Sequence, residues 1–413
     1  MPHKRFTTAP AKALTTAALA LILVSGALAA PKYQVLHAFS GGNDGGGLWS
    51  SLLLDKHGNV YGTTISGGQK GKGGTAFKLS RRANGTWSQT VLYSFCSVSN
   101  CTDGGGSFAG LIFDTAGNLY GTTVGGGTHD SGVAFELTPS SQGWTEAVLY
   151  NFCSLPGCKD GGSPMAGLIR DKAGNLYGTG YVAFELSPDS GAWKLTILHE
   201  FPNHNGDGSD PYAVVMDTAG NLYGGTEHGG GGGCDADCGT AYQLKPMADG
   251  KWKENILHEF YTHSGDGAFP GGALFLDGAG NLYGTTDVGG ATGDGTVYKL
   301  TPRPDGRWNE IILHDFTGGA NGDGPSGGVV MDKVGNLYGT TIAGGDPNCE
   351  CGVVYKLTPQ TGGKWNYTVL HRFTGYDGAQ PAANVILDSK GNLYGTTITG
   401  GAGGAGVAFE LTP

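Results

Sequence analysis

The sequence predicts an all-β protein: a seven-bladed β-propeller of four-stranded blades, closed by its own N-terminal strand. A D-x-x-G-N turn recurs with its Asn at 59, 118, 175, 221, 281, 336 and 392, at spacings of 46 to 60 residues. Such a period with strand-like composition marks a propeller or solenoid, not a row of independent domains. Each unit also divides into four short alternating segments, and the last unit lacks its fourth. The missing piece stands at the other end: "KYQVLHAF" at 32–39 matches "NYTVLHRF" at 366–373. That segment is expected to complete the last blade and remove an open sheet edge.

The first segment of a unit is an apolar run ending in Asp, as in "GLIFD", 110–114. The turn follows, with Asp to cap it and Gly to take positive φ. The second segment is "NLYGTT", 118–123, and a Gly-rich loop leads to the third, "GVAFELTP", 132–139. The fourth, "WTEAVLYNF", 144–152, puts Trp144, Val148, Tyr150 and Phe152 at one parity and hence on one expected face. With 79 glycines the chain could be disordered, but the constant phase of these alternations argues against it.

Ahead of the repeats, Lys4, Arg5 and Lys12 precede an apolar stretch from Ala13 to about Val24 and then "GALAA". This reads as a secretory signal peptide over residues 1–29, cut after Ala29, leaving one domain over 30–413. The apolar run is too short for a good membrane span. Cleavage takes the formal charge from −10 to −13, which argues against nucleic acid or anionic membrane as the main partner. The expected product is a monomer that does not insert into membranes, secreted to the periplasm or the exterior. Its eight cysteines form four local couples, Cys96/Cys101, Cys153/Cys158, Cys234/Cys238 and Cys349/Cys351. An even count in an exported chain points to disulfides, and no couple has His at zinc-finger spacing. The one-residue spacer makes Cys349/Cys351 the least regular pair.

The seven "GN[LV]YG" turns, most continuing into TT, together with "[FY]xL[TSK]P" and "[VI]L[HY]xF" strands, resemble the GloVer-type tandem repeat family of secreted bacterial proteins. The resemblance covers essentially the whole mature chain. It implies a propeller-like repeat fold and export, and implies no particular activity. Many such proteins carry a C-terminal sorting anchor, and none is read before the chain ends at Pro413.

Strand order puts the D-x-x-G-N and "LTP…W" turns on one face. The Gly-rich loops and the crossovers between blades, with all four cysteine couples, fall on the other. Each crossover is read as carrying an Asp-Gly, at Asp44, Asp103, Asp160, Asp207, Asp266, Asp323 and Asp377; seven copies suggest a turn device. In "NHNGDGSD", Asn203, Asn205 and Asp207 imitate the start of a calcium loop without its closing Glu, so calcium is a candidate there; no other cofactor or metal is expected. Five residues after the Asp, successive blades carry Trp49, Phe108, Met165 and Tyr212, while blades five and seven carry Gly271 and Ala382. Such rings could stack on sugars, with Asp207 and Asp266 to bind hydroxyls, or could simply plug the ring's mouth.

Blade three loses its Gly-rich loop, leaving a notch at Tyr181. Near it, His204, Asp210, Glu227, His228 and, one blade on, His263 form a candidate acid/base set; they are also ordinary residues for solvated loops. His37, His199, His258, His314 and His371 recur in the fourth strand, exchanging with Tyr93 and Tyr150. That interchange favours hydrogen-bonded packing between blades over metal ligation. Three functions stand open: a carbohydrate or cell-wall polymer binder, with polysaccharide or glycan as partner; a polysaccharide-active hydrolase or lyase; and a protein-interaction scaffold.

Overall fold

The computed structural model describes residues 1, 30–69, 72–202, 206–231, 238–261 and 265–413. The expected signal peptide therefore lies outside the described residues. Pro31–Pro413 form one compact unit, built of seven antiparallel sheets. Six of these are consecutive in sequence, beginning with Leu53–Leu54, Val60–Thr63, Thr75–Arg81 and Trp87–Ser94. The seventh takes three strands from the C-terminal end, Ile386–Leu387, Leu393–Thr396 and Val407–Thr412, and its outer strand, Lys32–Ala38, from the N-terminal end. Lys32 pairs with Thr412 and Ala38 with Val407, which is the closure expected from the matched segments. The protein is a seven-bladed β-propeller.

Each letter of the recurring turn has a task. In blade one, Asp55 accepts hydrogen bonds from the Asn59 backbone N–H (2.9 Å), Asn59 Nδ2 (2.7 Å) and Tyr61 Oη (3.2 Å). A Cβ on Gly62 would sit 2.7 Å from Cζ of Phe77, so glycine there makes room for the aromatic ring of the third strand. The first Thr of "YGTT" binds the ring together. Thr63 Oγ1 donates to the carbonyl of Ala109 in the next blade (2.9 Å), Thr122 to Ala166 (3.2 Å), Thr179 to Tyr212 (2.9 Å), Thr285 to Gly327 (3.0 Å) and Thr340 to Ala383 (3.3 Å). Thr396 reaches Ser50 across the closure (3.1 Å). Blade four has Gly225 at this position.

The core lies between blades, in seven clusters of buried residues. The fourth strand corrects the parity reading. Phe135 pairs with Val148 but Ala134 with Tyr150, so a bulge at Leu149 turns Val148 and Tyr150 to opposite faces. Trp144 and Val148 pack around Phe135, whereas Tyr150 and Phe152 pack with Phe184 of the next blade. Equivalent shifts occur in every blade except that the closing strand carries its own between Val35 and His37. One strand thus serves two cores.

Three disulfides are seen, Cys96–Cys101, Cys153–Cys158 and Cys349–Cys351, the last despite its short spacer. Cys238 is also disulfide-bonded; Cys234 lies outside the described residues. Among the described residues no helix is long and apolar enough to cross a membrane.

Candidate ligand-binding site at the mouth of the ring

The crossover Asp fixes the chain's path from the outer strand of one blade to the inner strand of the next. It does so by bonding the recurrent fourth-strand side chain: His37–Asp44 (3.3 Å), Tyr93–Asp103 (2.9 Å), Tyr150–Asp160 (2.8 Å), His199–Asp207 (3.1 Å), His258–Asp266 (3.1 Å) and His371–Asp377 (3.0 Å). The carboxylates of Asp207 and Asp266 are therefore engaged at the seams between outer strands. Asn203 and Asn205, the other candidate calcium ligands, lie outside the described residues, as do His204 and His263.

Blade six departs from the sequence reading. The residue two after the crossover Asp bridges the neighbouring strand at Gly46, Gly105 and Ala379, and in blade six that place is taken by Asp323, bridged to Ala343. Three residues after the Asp the backbone has positive φ, at Gly47, Gly106, Ser163, Asp210, Phe269 and Gln380, and in blade six at Gly324. Both registers assign the Asp position to Asn321. Asp323 is thus not the turn residue, and His314 is left without a carboxylate. Burial holds its imidazole down at about 4, only partly opposed by Asp315, while Tyr367 stacks on it at 4.1 Å. Replacing Asn321→Asp should restore the missing partner and bring the His314 pKa to about 6.5 or above. An NMR titration in which it stays near 4 would sink this register.

With Asn321 in register, the position five residues after the Asp reads Trp49, Phe108, Met165, Tyr212, Gly271, Ser326 and Ala382 around the ring. It lies one residue before the inner-strand carbonyls at Ser50, Ala109 and Ala166, at the loop-rich end. Trp49 and Phe108 meet with ring centroids 5.8 Å apart. Trp49 is 39 % exposed, Met165 60 % and Tyr181 62 %. A run of large apolar groups thus lines the mouth from blade one to blade three.

Blades four to six supply the opposite character. The residue after "YGTT" is Ile65, Val124, Ile342 or Ile398 in four blades, but Glu227 in blade four and Asp287 in blade five. Tyr212 Oη donates to Glu227 Oε2 (2.9 Å) and Ser326 Oγ to Asp287 Oδ1 (2.7 Å). Burial first, then the charge of Glu227, raises the Asp287 carboxyl above its usual range despite the Ser326 hydrogen bond. The Tyr212 hydroxyl is pushed far up by burial and by its acidic neighbours Glu227, Asp287 and Asp210. His228 Nδ1 lies 3.5 Å from Asp210 Oδ2, and its ring is 5.4 Å from Phe269. Asp210 and Phe269 hold φ of 56°, a region few non-glycine residues adopt.

Of the proposed acid/base residues, the structure thus gathers Asp210, Glu227 and His228 around Tyr212. Asp287 and Ser326 were missed; the break in "YGTT[IV]" was the signal for Asp287. Tyr181 begins the shortened blade-three connection, within reach of Gly162. A depression of about 670 Å³ lies elsewhere, lined by Asn100, Cys101, Thr102, Thr128, His129 and Asp130.

A family model described as the Gloeobacter/Verrucomicrobia repeat matches residues 22–185 and 180–409. No curated protein matches the chain. Among solved structures, the chain is similar to the extracellular domain of a one-component system of B. thetaiotaomicron, with a TM-score of 0.57 at 13 % identity over 92 % of this chain and 40 % of that one. A second likeness is to PorZ, a surface component of the type-IX secretion system of Porphyromonas gingivalis, with a TM-score of 0.48 at 15 % identity over 86 % and 45 % of the two chains. This chain spans less than half the length of either, and at such identities the likeness concerns the fold alone.

Proposed function

Because the chain belongs to the Gloeobacter/Verrucomicrobia repeat family, a family read from its repeats and not from an active site, we propose a function from the mouth of the ring: an exported propeller that binds carbohydrate or cell-wall polymer. Export is supported by the disulfides, which persist in oxidising compartments. The observation that carries the binding reading is the two-sided mouth. Trp49, Phe108 and Met165 offer apolar faces on consecutive blades, while Glu227 and Asp287 offer carboxylates from the far side. A sugar has that division itself, with C–H faces that stack on aromatics and hydroxyls that donate to carboxylates. The chain's acidity disfavours anionic polymers, so neutral glycans are the better fit.

The test is a panel of immobilised polysaccharides, scored for retention and for released reducing ends or unsaturated products. Retention without products, weakened about tenfold by Trp49→Ala, is expected; that corresponds to about 1.4 kcal/mol, in the range of one good stacking contact. Retention indifferent to both Trp49→Ala and Phe108→Ala would refute the arc. A hydrolase or lyase is the second reading, favoured by the Asp210–His228 pair and the two interacting carboxylates. Product release abolished by Glu227→Gln or His228→Ala would establish it.

A further inference from the structure

We propose that the two seams flanking blade four each bind a divalent transition-metal ion, zinc by ligand type, between His199, Asp207 and Glu254 and between His258, Asp266 and Glu310. In each set the His and Asp come from one side of the seam and the Glu from the outer strand of the following blade. One ligand atom from each residue can be chosen so that all three lie within 4.8 Å of one another. His199 Nε2 is 3.1 Å from Asp207 Oδ2 and 3.7 Å from Glu254 Oε1; His258 Nε2 is 3.1 Å from Asp266 Oδ2 and 3.6 Å from Glu310 Oε2. Tetrahedral ligands about 2.0 Å from zinc lie roughly 3.3 Å from each other, so each set needs only small side-chain adjustments.

The orphaned atoms point the same way. Glu254 Oε1 and Glu310 Oε1 are buried without any hydrogen-bond partner, although buried carboxylate oxygens normally have one. Glu146 Oε1, in the seam between blades one and two, is left in the same state, so the imidazole beside the carboxylates is what sets these two seams apart. Two carboxylates and a neutral imidazole leave a −2 site that a divalent ion would neutralise, with water completing its shell. The residues are partly exposed, and an open depression of about 340 Å³ lined by Ile256, Leu257, His258, Glu259 and Tyr261 gives solvent a way to the second site. The seam between blades one and two has Tyr93, Asp103 and Glu146 at the corresponding places. It has the carboxylates without the imidazole and acts as an internal control. Seams at His314 and His371 substitute stacked Tyr367 and Tyr33 for the Glu. This inference parts from the packing role that the sequence suggested for these histidines, and is independent of the glycan reading. Its structural sense is local: blade four lacks the inner threonine, having Gly225, and a metal staple at the rim would secure the same blade from outside.

The test uses the protein freed of metal by chelator, then dialysed against zinc chloride and analysed for bound metal. Two equivalents per chain are expected, one after His199→Gln or His258→Gln, and none after both. The melting temperature should rise with zinc and fall again with chelator, since the ion binds only the folded seam. Glu254→Gln with Glu310→Gln serves as a second double variant should the first fold poorly, and should weaken each site at least tenfold. No zinc uptake, uptake surviving the double His variant, or uptake of calcium in place of zinc would overturn the proposal.

Discussion

Deleting residues 32–39 should lower the melting temperature more than any point substitution, and should leave no cooperatively folded ring at physiological temperature. The segment fills the outer position of the last blade, pairing along Val407–Thr412. It buries Leu36 and all of Phe39, stacks Tyr33 on His371 at 3.8 Å, and sends Tyr33 Oη to the Asp377 carbonyl (2.7 Å). Burying each large apolar side chain contributes about 1.5–3 kcal/mol, so losing several approaches the 5–15 kcal/mol that separates most folded domains from unfolding. The deletion also bares the edge of Val407–Thr412 for pairing with another chain. Calorimetry should show the loss and light scattering the association. A melting temperature within a few degrees of the intact protein would mean that the ring does not depend on its closure.

Replacing Asp277→Ala should be the most damaging single change away from the core. Its carboxylate accepts from the backbone of Ala279 (2.9 Å) and Asn281 (2.8 Å), from Asn281 Nδ2 (2.7 Å) and from Tyr283 Oη (3.2 Å). Several charge-assisted bonds disappear together, so a cost of about 2–4 kcal/mol is expected from chemical denaturation. The same groups set the response to acid. Burial alone would raise the Asp277 pKa, but the hydrogen bonds from Asn281, Ala279 and Tyr283 outweigh it and the net shift is downward. Asp55, Asp114, Asp217 and Asp332 are lowered for the same reasons. A carboxyl with a depressed folded-state pKa contributes stability above its unfolded value, near 4, and loses it as the pH falls through the folded value. Thermal melts should therefore fall off below pH about 4, and less steeply in Asp277→Asn. A flat profile down to pH about 2 would show that the turns do not carry this linkage.

Blade number, strand order and closure were all readable from the sequence, because one turn repeats with the same chemistry and its Asp, Gly, Asn, Tyr and Thr each make a bond or a space that the blade needs. Parity within the fourth strand was not, because the bulge at Leu149 adds a residue without changing composition. The blade-six register was misread for a related reason. "NGDG" offers two candidates for one turn position, and the Asp is the more familiar. Counting backward from the next D-x-x-G-N Asp would have resolved it: Asp103, Asp266 and Asp377 stand 11 residues before Asp114, Asp277 and Asp388, and so does Asn321 before Asp332, whereas Asp323 stands 9 before it. The site was half legible. Its aromatic side followed from blade-to-blade differences at one position, but the partner of Glu227 was Asp287, one blade and some sixty residues away in sequence, and only folding brings their fields together. Asp207 and Asp266 were placed near the aromatics by adjacency in sequence, when the crossover turns them back onto their own outer strand.

The pairing of Lys32 with Thr412 has a geometric consequence for how the molecule is presented. Both residues stand at the D-x-x-G-N end of the last blade, where the third strand finishes and the closing strand starts. Any tether, fusion or solid support joined directly ahead of Lys32 or directly after Thr412 would therefore hold the ring by its turn side and leave the Trp49–Tyr212 mouth facing outward. Immobilised at one of these two positions or the other, the ring should display the same face to a passing polymer.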